Sequence, residues 1–544
     1  MNNTVHIYAE LLSAVVRFNN FSTVFYFDPE DGKKPCHLEG WLSLAGNTIP
    51  LLLWSSIKSI KLSSLFNTQL LVVACLSEVY REDFLNTLSN TLRYMRQTKL
   101  LIELVANQDV DLASRVLQFC LHNQMLNAAL IFGDFGQTHT FFSYEAFPNF
   151  VLNDQKFTKE LLNFYPDKTF DMHGSMIRAM PDLSEPNTIL YSDKEGNARV
   201  IGYVWNLVEE YARKHNAGVQ LIDQVLEGKR LTRIQLLDMA RNNVIDIGAA
   251  MQPLTLSHSE EYREYTYPVQ VASWCTMLPL EPILEVREMY AWMMPGVTFG
   301  FLSLLWLIYE LRNGRWHRHR RLLAIGWKVL ALMLACNVQG RLITLFIAPP
   351  AKPTISNFDA LSNSRLRIFS LRFEHSLYDF DLRTRYAPAF YLSDKISELL
   401  QLRNSMNTTY AYTVTHTKWQ LYAEQQTSRL RPLFYYSENF CLYRFMSFAL
   451  VMPESSPHRN NFHHYTLQLG QSGILQHWVR RSFYYMVQAG KLHRQDLSEP
   501  RHFNPLAPQD LHIILRAYAL GVLISLTLFI VELLVSRFKI WMAS

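Results

Sequence analysis

Short apolar runs alternate with amphipathic segments through the first 165 residues. Leu70–Leu76, Leu100–Val105 and Ala128–Phe132 are apolar runs with the length of a buried strand. The segments between them, Arg81–Arg96 and Leu112–Asn123, place apolar residues at helical spacing. This alternation predicts a small α/β domain over residues 1–165.

A second α/β pattern begins near Asp171. Apolar residues recur at helical spacing at Val200, Ile201, Val204, Leu207, Val208 and Tyr211. Gly202 is expected within the first turn of that helix, and Val219–Ile222 is predicted to be the next strand. Asp246-Ile247-Gly248 is predicted to be a strand that ends at a turn.

Three long apolar segments follow the pattern of membrane spans. They occupy residues 291–311, 322–347 and 513–535. About 20 apolar residues cross the hydrocarbon core as a helix. Buried core helices of a soluble protein are the alternative interpretation, but core helices are rarely this long and this apolar.

The basic residues predict which way the spans run. Residues 312–321 (RNGRWHRHRR) carry five Arg, and the tail 536–544 carries Arg537 and Lys539. The positive-inside rule places both in the cytosol. The N-terminus and residues 348–512 are then extracellular, and the C-terminus is cytosolic. Asn2, Asn20 and Asn407 lie in glycosylation sequons on the predicted outside.

Between the spans, further helices are predicted at Asp359–Phe369, at Ser393–Gln401 and from Gly473 to Gly490. One external α/β region thus precedes a pair of spans, at 166–290, and another, at 348–512, precedes the last span. This layout predicts a ligand-binding domain that is divided in sequence. Its two halves are expected to form a bilobed clamshell, similar to a periplasmic binding protein, with the ligand in the cleft.

Composition narrows the possible classes of function. The chain has 544 residues, of which 49% are hydrophobic and 18% charged, with a net charge of +5, so it is not a disordered chain. The external regions carry no basic stripe, and nucleic acid is therefore not expected as a partner. Catalytic motifs and metal-ligand spacing are absent from the sequence. We expect no enzymatic activity, no metal and no cofactor.

Several motifs together resemble one family. The motifs are Asp246-Ile247-Gly248, Pro253-Leu254-Thr255, Arg263, Tyr267-Pro268, Trp274–Pro279, Asn357–Ser364, Gln471–Trp478, Leu506, Asp510-Leu511 and Phe529–Leu533. In this combination the chain resembles the insect ionotropic receptors, which are divergent chemosensory relatives of ionotropic glutamate receptors. The resemblance covers about residues 165–540, and residues 1–165 correspond to a reduced N-terminal domain.

The resemblance implies a function. It implies a tuning subunit of a ligand-gated cation channel in the plasma membrane of sensory neurons, which detects a taste, odour or pheromone molecule. Co-receptor subunits of the same family would complete a hetero-tetramer. Closure of the clamshell on a small-molecule ligand would pull on the linkers 282–290 and 349–357 and open the channel.

The ligand site departs from that of glutamate receptors. The family's carboxylate-binding Arg is expected five residues after Thr255, where this chain has Glu260, and Arg263 lies three residues further on. An acid that would hold the ligand's amine is expected in the second segment, where Glu438 is one candidate. Glu260 repels a carboxylate, so an amino-acid ligand is not expected.

The pore also departs from the family plan. Only ten residues separate Leu311 from Leu322, which leaves no room for a re-entrant pore loop. Asn337, Arg341 and Thr344 share one face of the second predicted span. They form either a stripe that faces the pore, or a site where Arg341 extends to the membrane interface. The missing loop keeps a second function open, that of a membrane-anchored binding or accessory subunit without its own pore.

The six cysteines predict no disulfide pattern. Cys336 lies in a predicted span, which leaves Cys36, Cys75, Cys120, Cys275 and Cys441 outside. Five is an odd number, so at least one external cysteine is expected to have no intramolecular partner.

Overall fold

The protein is described by a computed structural model. The described residues are 2–17, 21–29, 36–39, 49–76, 80–158, 164–193, 195–222, 230–254, 261–284, 288–289, 300–301, 303–304, 307–308, 320–347, 350–427, 429, 431–492 and 511–543.

The strands and helices are as follows. The strands are β1 Thr23–Phe27, β2 Leu51–Trp54, β3 Leu70–Leu76, β4 Lys99–Leu104, β5 Ala128–Phe132, β6 Thr140–Glu145, β7 Val151–Lys156, β8 Met176–Pro181, β9 Ile189–Ser192, β10 Ala198–Ile201, β11 Gly218–Leu221, β12 Ile247–Pro253, β13 Gln270–Pro279, β14 Arg367–Leu371, β15 Phe390–Ser393, β16 Tyr410–Thr415 and β17 Phe434–Val451. The helices are α1 Asn2–Arg17, α2 Glu82–Thr91, α3 Val110–His122, α4 Phe135–Thr138, α5 Tyr203–Lys214, α6 Arg233–Arg241, α7 Arg320–Ile347, α8 Phe358–Asn363, α9 Arg372–Ser376, α10 Phe380–Arg385, α11 Ile396–Asn404, α12 His416–Gln426, α13 Arg459–Ser472, α14 Ile474–Arg480, α15 Ser482–Gln488 and α16 His512–Ala543.

The N-terminal region forms a sheet with strand order β2-β1-β3-β4-β5-β6-β7. Strands β1 to β5 run parallel to one another, whereas β6 pairs antiparallel with both β5 and β7. Every residue of β3 is buried, as expected for a parallel strand that is covered on both faces. Val72 and Ala74 contribute to one core, and Leu71 and Val73 to another. The predicted α/β fold is confirmed here, although helix α2 ends at Thr91 rather than near Arg96.

The chain divides into two compact units. The first contains residues 1–276, 413–426 and 441–495, and the second contains residues 277–412, 427–440 and 496–544. Each unit therefore combines chain from before the first predicted span with chain from after the second.

In the first unit, β8 pairs in parallel with β11 and β12, and β12 pairs antiparallel with β17. One buried core lies against these strands and includes residues of α5, α6, α13 and α14. The predicted strand end at Asp246-Ile247-Gly248 is wrong, because β12 begins at Ile247 and continues to Pro253. Its pairing with Ala179, Met180 and Pro181 of β8 explains the start.

The predicted start of helix α5 is also wrong. Val200 and Ile201 belong to β10, which pairs antiparallel with β9, and the helix begins at Tyr203. Gly202 has a φ of 129° at the helix N-cap, and a Cβ there would lie 2.3 Å from the carbonyl oxygen of Asn187. This close approach requires glycine.

In the second unit, β14 pairs in parallel with β15 and β16. The predicted helix over Asp359–Phe369 is only partly correct, because α8 ends at Asn363 and β14 begins at Arg367. The helix predicted at Ser393–Gln401 is α11, which begins at Ile396. In the first unit, the helix predicted from Gly473 to Gly490 is divided into α14 and α15 at Arg481.

One apolar helix near the C-terminus is long enough to cross a membrane. Within α16, Tyr518–Val535 has a mean hydropathy of 2.3 and is not buried at all. Among the described residues, it is the one helix that meets both criteria of length and apolarity. Helix α7, which covers the second predicted span, has 28 residues and exposes Leu332, Met333 and Ile347. Most of the first predicted span lies outside the described residues.

Candidate functional site

Two of the predicted ligand residues, Thr255 and Glu260, lie outside the described residues. Arg263 lies in a 3₁₀ turn, Glu261–Glu264, and its partners belong to the N-terminal α/β region. Its Nη2 donates a hydrogen bond to the carbonyl oxygen of Ser63 at 2.7 Å, and its Cζ lies 5.3 Å from the ring centre of Tyr94. The guanidinium of Arg263 thus connects the turn to the N-terminal sheet region.

An ion pair and a further arginine hold the turn that carries Arg263. The side chains of Arg241 and Glu264 form a two-point ion pair with both N–O distances at 2.7 Å, and the side chain of Glu264 is 8% exposed. The ion pair raises the pKa of Arg241, with the hydrogen bond to Glu264 as the main cause. The partly buried Arg459 donates to the backbone carbonyl of Arg263. These contacts hold the turn firmly in place.

A further ion pair connects the N-terminal region with the loop after β17. Nε of Arg93 lies 2.9–3.0 Å from both carboxylate oxygens of Glu454. Gln97 in the same region donates to the carbonyl of Ser456. The partners are 361 and 359 residues apart, so the sequence contains no spacing that would predict them.

The other candidate for the ligand site, Glu438, lies on β17 in the second unit and is exposed. Arg263 belongs to the first unit. The stretch Tyr410–Thr417, which has no acid, forms β16 and the first turn of α12. The role of Arg263 and Glu438 in ligand binding stays a prediction.

The two linkers next to the first and second predicted spans pair with each other. Ile283 and Ala351 form an antiparallel β-bridge. The N–H of Leu284 donates to the carbonyl of Pro350 at 3.0 Å, and the N–H of Lys352 donates to that of Pro282 at 3.2 Å. We call this arrangement the linker junction. Nζ of Lys352 also lies 2.8 Å from Oε1 of Glu288, which adds an ion pair to the junction.

A pocket of about 500 Å³ lies beside the linker junction, entirely within the second unit. We call it the linker pocket. Its lining residues are Pro279, Leu280, Glu281, Pro282, Ile355, Ser364, Arg365, Leu366, Thr408, Arg431, Pro432 and Leu433. Burial raises the pKa of the Glu281 carboxyl, against a smaller opposing effect of a backbone hydrogen bond from Ile355 and of Lys352. Burial and, to a smaller degree, Glu281 raise the pKa of Tyr435, which donates to the carbonyl of Ile355.

The polar residues of the second predicted span are all exposed on α7. Asn337, Arg341 and Thr344 are four and three residues apart, which places them on one face of the helix. The hydroxyl of Thr344 donates to the carbonyl of Gly340 at 2.8 Å. Both interpretations stay predictions: a stripe that faces the pore, and an Arg341 that extends to the membrane interface.

Two of the three sequons lie within the described residues. Asn20 lies outside the described residues, and Asn2 begins helix α1. Asn407 lies in the turn before β16, where its Oδ1 accepts a hydrogen bond from the N–H of Thr409 at 2.8 Å. Thr408 and Thr409 beside it are exposed.

Two disulfides join four of the cysteines, Cys36 to Cys75 and Cys275 to Cys441. Cys120 is a buried free thiol, and Cys336 is a free thiol on α7. Of the five cysteines outside the predicted spans, Cys120 has no disulfide partner, as their odd number requires. The pairing itself had no sequence signal.

Among the described residues, no group of three or more His, Cys, Asp or Glu side chains is placed to hold a metal ion. No protein-family model matches the chain, and no curated protein matches it.

Proposed function

We propose that the chain is the tuning subunit of a ligand-gated cation channel, which detects an external chemical at the plasma membrane of sensory neurons. The observation that carries the proposal is the linker junction. Segments that are separated by two predicted spans meet there through two backbone hydrogen bonds. A displacement of one linker is therefore transmitted to the other, as gating of a helix pair requires.

The division of the folded region in sequence supports the same proposal. Gly248 of β12, which precedes the first predicted span, pairs with Val451 of β17, which follows the second. Cys275 and Cys441 join the same two parts of the chain covalently. A domain that folds from both sides of a pair of spans couples its own conformation to those spans.

Gating in this proposal follows from differential binding. A small molecule that binds the closed clamshell more tightly than the open one shifts the equilibrium toward the closed form. Closure pulls on the linkers 282–290 and 349–357. The ligand is not an α-amino acid in this proposal, because Glu260 occupies the position where a carboxylate-binding Arg is expected.

A second candidate function is a membrane-anchored binding or accessory subunit that contributes no pore. One observation favours it. Helix α7 is continuous from Arg320 to Ile347, so no re-entrant loop interrupts the second predicted span. A selectivity filter would then come from co-receptor subunits of a hetero-tetramer.

Recording from cells that express the subunit alone or with co-receptor subunits tests the proposal. A panel of volatile acids, amines and aromatic compounds is applied, with glutamate as a comparison. We expect no current from the subunit alone, and ligand-evoked cation current from the pair with a sensitivity that the co-receptor alone lacks. If co-expression never changes the ligand response, the channel proposal is wrong.

A matched pair of variants tests the linker junction. Leu284→Pro removes the N–H that donates to Pro350, whereas Leu284→Ala keeps it. We expect Leu284→Pro to reduce evoked current strongly at unchanged surface expression, and Leu284→Ala to retain most of it. Equal currents from the two variants would contradict a role of the junction in gating.

A further inference from the structure

The linker pocket carries positive charge that the described residues do not neutralise. Arg365 and Arg431 line it, together with a single carboxylate, Glu281. Nη2 of Arg431 donates to the backbone carbonyl of Glu281 at 2.6 Å, so its contact is with a neutral group. Arg365 is exposed and has no hydrogen bond or ion pair within the described part of the chain. Guanidinium groups with unused N–H donors are suited to carboxylate or phosphate.

The rest of the lining is mostly apolar. It consists of Pro279, Leu280, Pro282, Ile355, Leu366, Pro432 and Leu433, with hydroxyl groups at Ser364 and Thr408. Ser364 already donates to the carbonyl of Leu361. The hydroxyl of Thr408 has no partner among the described residues. A volume of about 500 Å³ lies within the range of small-molecule sites.

The walls of the pocket are held by hydrogen bonds, which favours a site that exists before the ligand arrives. The N–H of Leu280 donates to the carbonyl of Leu433 at 2.7 Å and joins the two proline-containing walls. The N–H of Thr409 donates to Oδ1 of Asn407 and fixes the turn that carries Thr408. A preformed pocket loses less conformational entropy on binding.

We propose that the linker pocket binds an amphipathic organic anion. Arg365 and Arg431 hold its carboxylate or phosphate head, and the proline and leucine side chains contact its apolar tail. Such a molecule comes from solution, as a fatty-acid-like carboxylate, or from the membrane, as an acidic lipid. Binding does not depend on the proposed channel function. Its consequence for gating rests on that function, because Pro282 belongs to both the pocket and the linker junction.

Binding is tested on the full chain in phosphatidylcholine nanodiscs by calorimetry, with empty nanodiscs as the background. Octanoate represents the free carboxylate, and dihexanoyl phosphatidic acid represents the lipid. Two control compounds each lack one part of the proposed ligand: octanol lacks the anionic head, and inorganic phosphate lacks the apolar tail. We expect saturable binding of at least one amphipathic anion, and no saturable binding of octanol or phosphate. Which of the two anions binds more tightly identifies the source.

Charge variants locate the site. Arg365→Gln and Arg431→Gln together are expected to weaken binding by about tenfold or more, because charge-assisted hydrogen bonds are lost. The matched control is Arg480→Gln, on α14 of the first unit, where an exposed Arg is removed and affinity is expected to stay unchanged.

Glu281→Gln distinguishes a specific effect on binding from misfolding of the variants. It removes the negative charge of the pocket and is expected to strengthen binding, which a misfolded protein does not do. The proposal is overturned if neither anion binds, if octanol or phosphate binds as well as the amphipathic anions, or if the arginine variants and Glu281→Gln leave affinity unchanged. Currents are not needed for any of these outcomes, so failure of the channel proposal is seen separately.

Discussion

Cys275 and Cys441 form a disulfide although 166 residues separate them in the chain. Cys275 lies in β13, before the first predicted span, and Cys441 lies in β17, after the second predicted span. Both belong to the first unit. The bond therefore closes a long loop that contains both predicted spans, and it joins the two predicted ligand-binding segments covalently.

The first prediction concerns this disulfide. The double variant Cys275→Ser with Cys441→Ser is expected to lose about 3–5 kcal/mol of unfolding free energy, because the cross-link restricts a long loop in the unfolded chain. Thermal unfolding measures the loss, and non-reducing peptide mapping checks the pairing. Cys336→Ser removes an unpaired thiol and is the control. Recovery of Cys275 and Cys441 as free thiols would contradict the assignment.

The second prediction concerns Arg241 and Glu264. Glu264→Gln removes the negative charge of a nearly buried carboxylate. The guanidinium of Arg241, which is half-exposed, then loses its two-point ion-pair partner. We expect a loss of about 1–2 kcal/mol, reduced from the value for a fully buried pair because water reaches Arg241. The control is Glu210→Gln, which removes an exposed i,i+3 pair with Arg213 and is expected to have almost no effect. Equal effects of the two variants would argue against this ranking.

The third prediction concerns the partly buried Lys168. Burial lowers its pKa from 10.5 to about 7, while its Nζ donates to the carbonyl of Leu126 at 2.5 Å and lies 3.5 Å from the ring centre of Tyr144. Because the unfolded chain binds this proton more tightly, the group opposes folding below pH 7. That cost decreases as the pH rises from about 7 toward 10.5.

Lys168→Met therefore stabilises the protein at neutral pH, and its advantage over the wild type decreases as the pH rises toward 10. Thermal unfolding of both proteins is measured across this pH range. The difference in stability between them excludes the contribution of tyrosines, because these titrate equally in both proteins. An advantage of Lys168→Met that is independent of pH would show that Lys168 keeps an ordinary pKa.

The fourth prediction concerns orientation. If residues 348–512 are extracellular, Asn407 carries a glycan, and Asn407→Gln reduces the mass that a glycosidase removes from the protein by one glycan. An acceptor sequence appended after Ser544 stays unmodified, because the tail is cytosolic in the predicted topology. A glycan on the appended sequence would reverse the orientation.

The fifth prediction concerns Arg341. If the face with Asn337 and Thr344 lines a cation pore, Arg341→Gln raises single-channel conductance in the co-assembled channel, because a cation at a constriction opposes cation flow. Lys328→Gln, near the other end of the helix, is expected to have a smaller effect. If Arg341→Gln and Arg341→Lys both leave conductance unchanged, Arg341 extends to the membrane interface instead.

The amino-acid sequence alone determined the elements whose apolar pattern has a single physical solution. Leu70–Leu76 and Ala128–Phe132 are continuous apolar runs, and these runs became strands that are buried on both faces. The apolar C-terminal segment likewise became an exposed helix, with its most apolar stretch at Tyr518–Val535. Such apolar runs can be predicted without knowing which surface covers them, because removal of apolar side chains from water is favourable in every case.

Tertiary structure determined the fold wherever a local sequence pattern was compatible with more than one partner. Val200 and Ile201 fit helical spacing, but they pair with β9, and Gly202 admits the close carbonyl of Asn187. Arg263 contacts Ser63, 200 residues away.

The disulfide pairing and the linker junction also depend on chain segments that meet only after folding. Ile283 pairs with Ala351, and Cys275 pairs with Cys441. Hydrogen bonds and disulfides act over a few ångströms in space, and separation along the chain carries no information on that distance. The candidate sites of this protein therefore depend on its tertiary structure, whereas its strands and its apolar helix follow from the sequence.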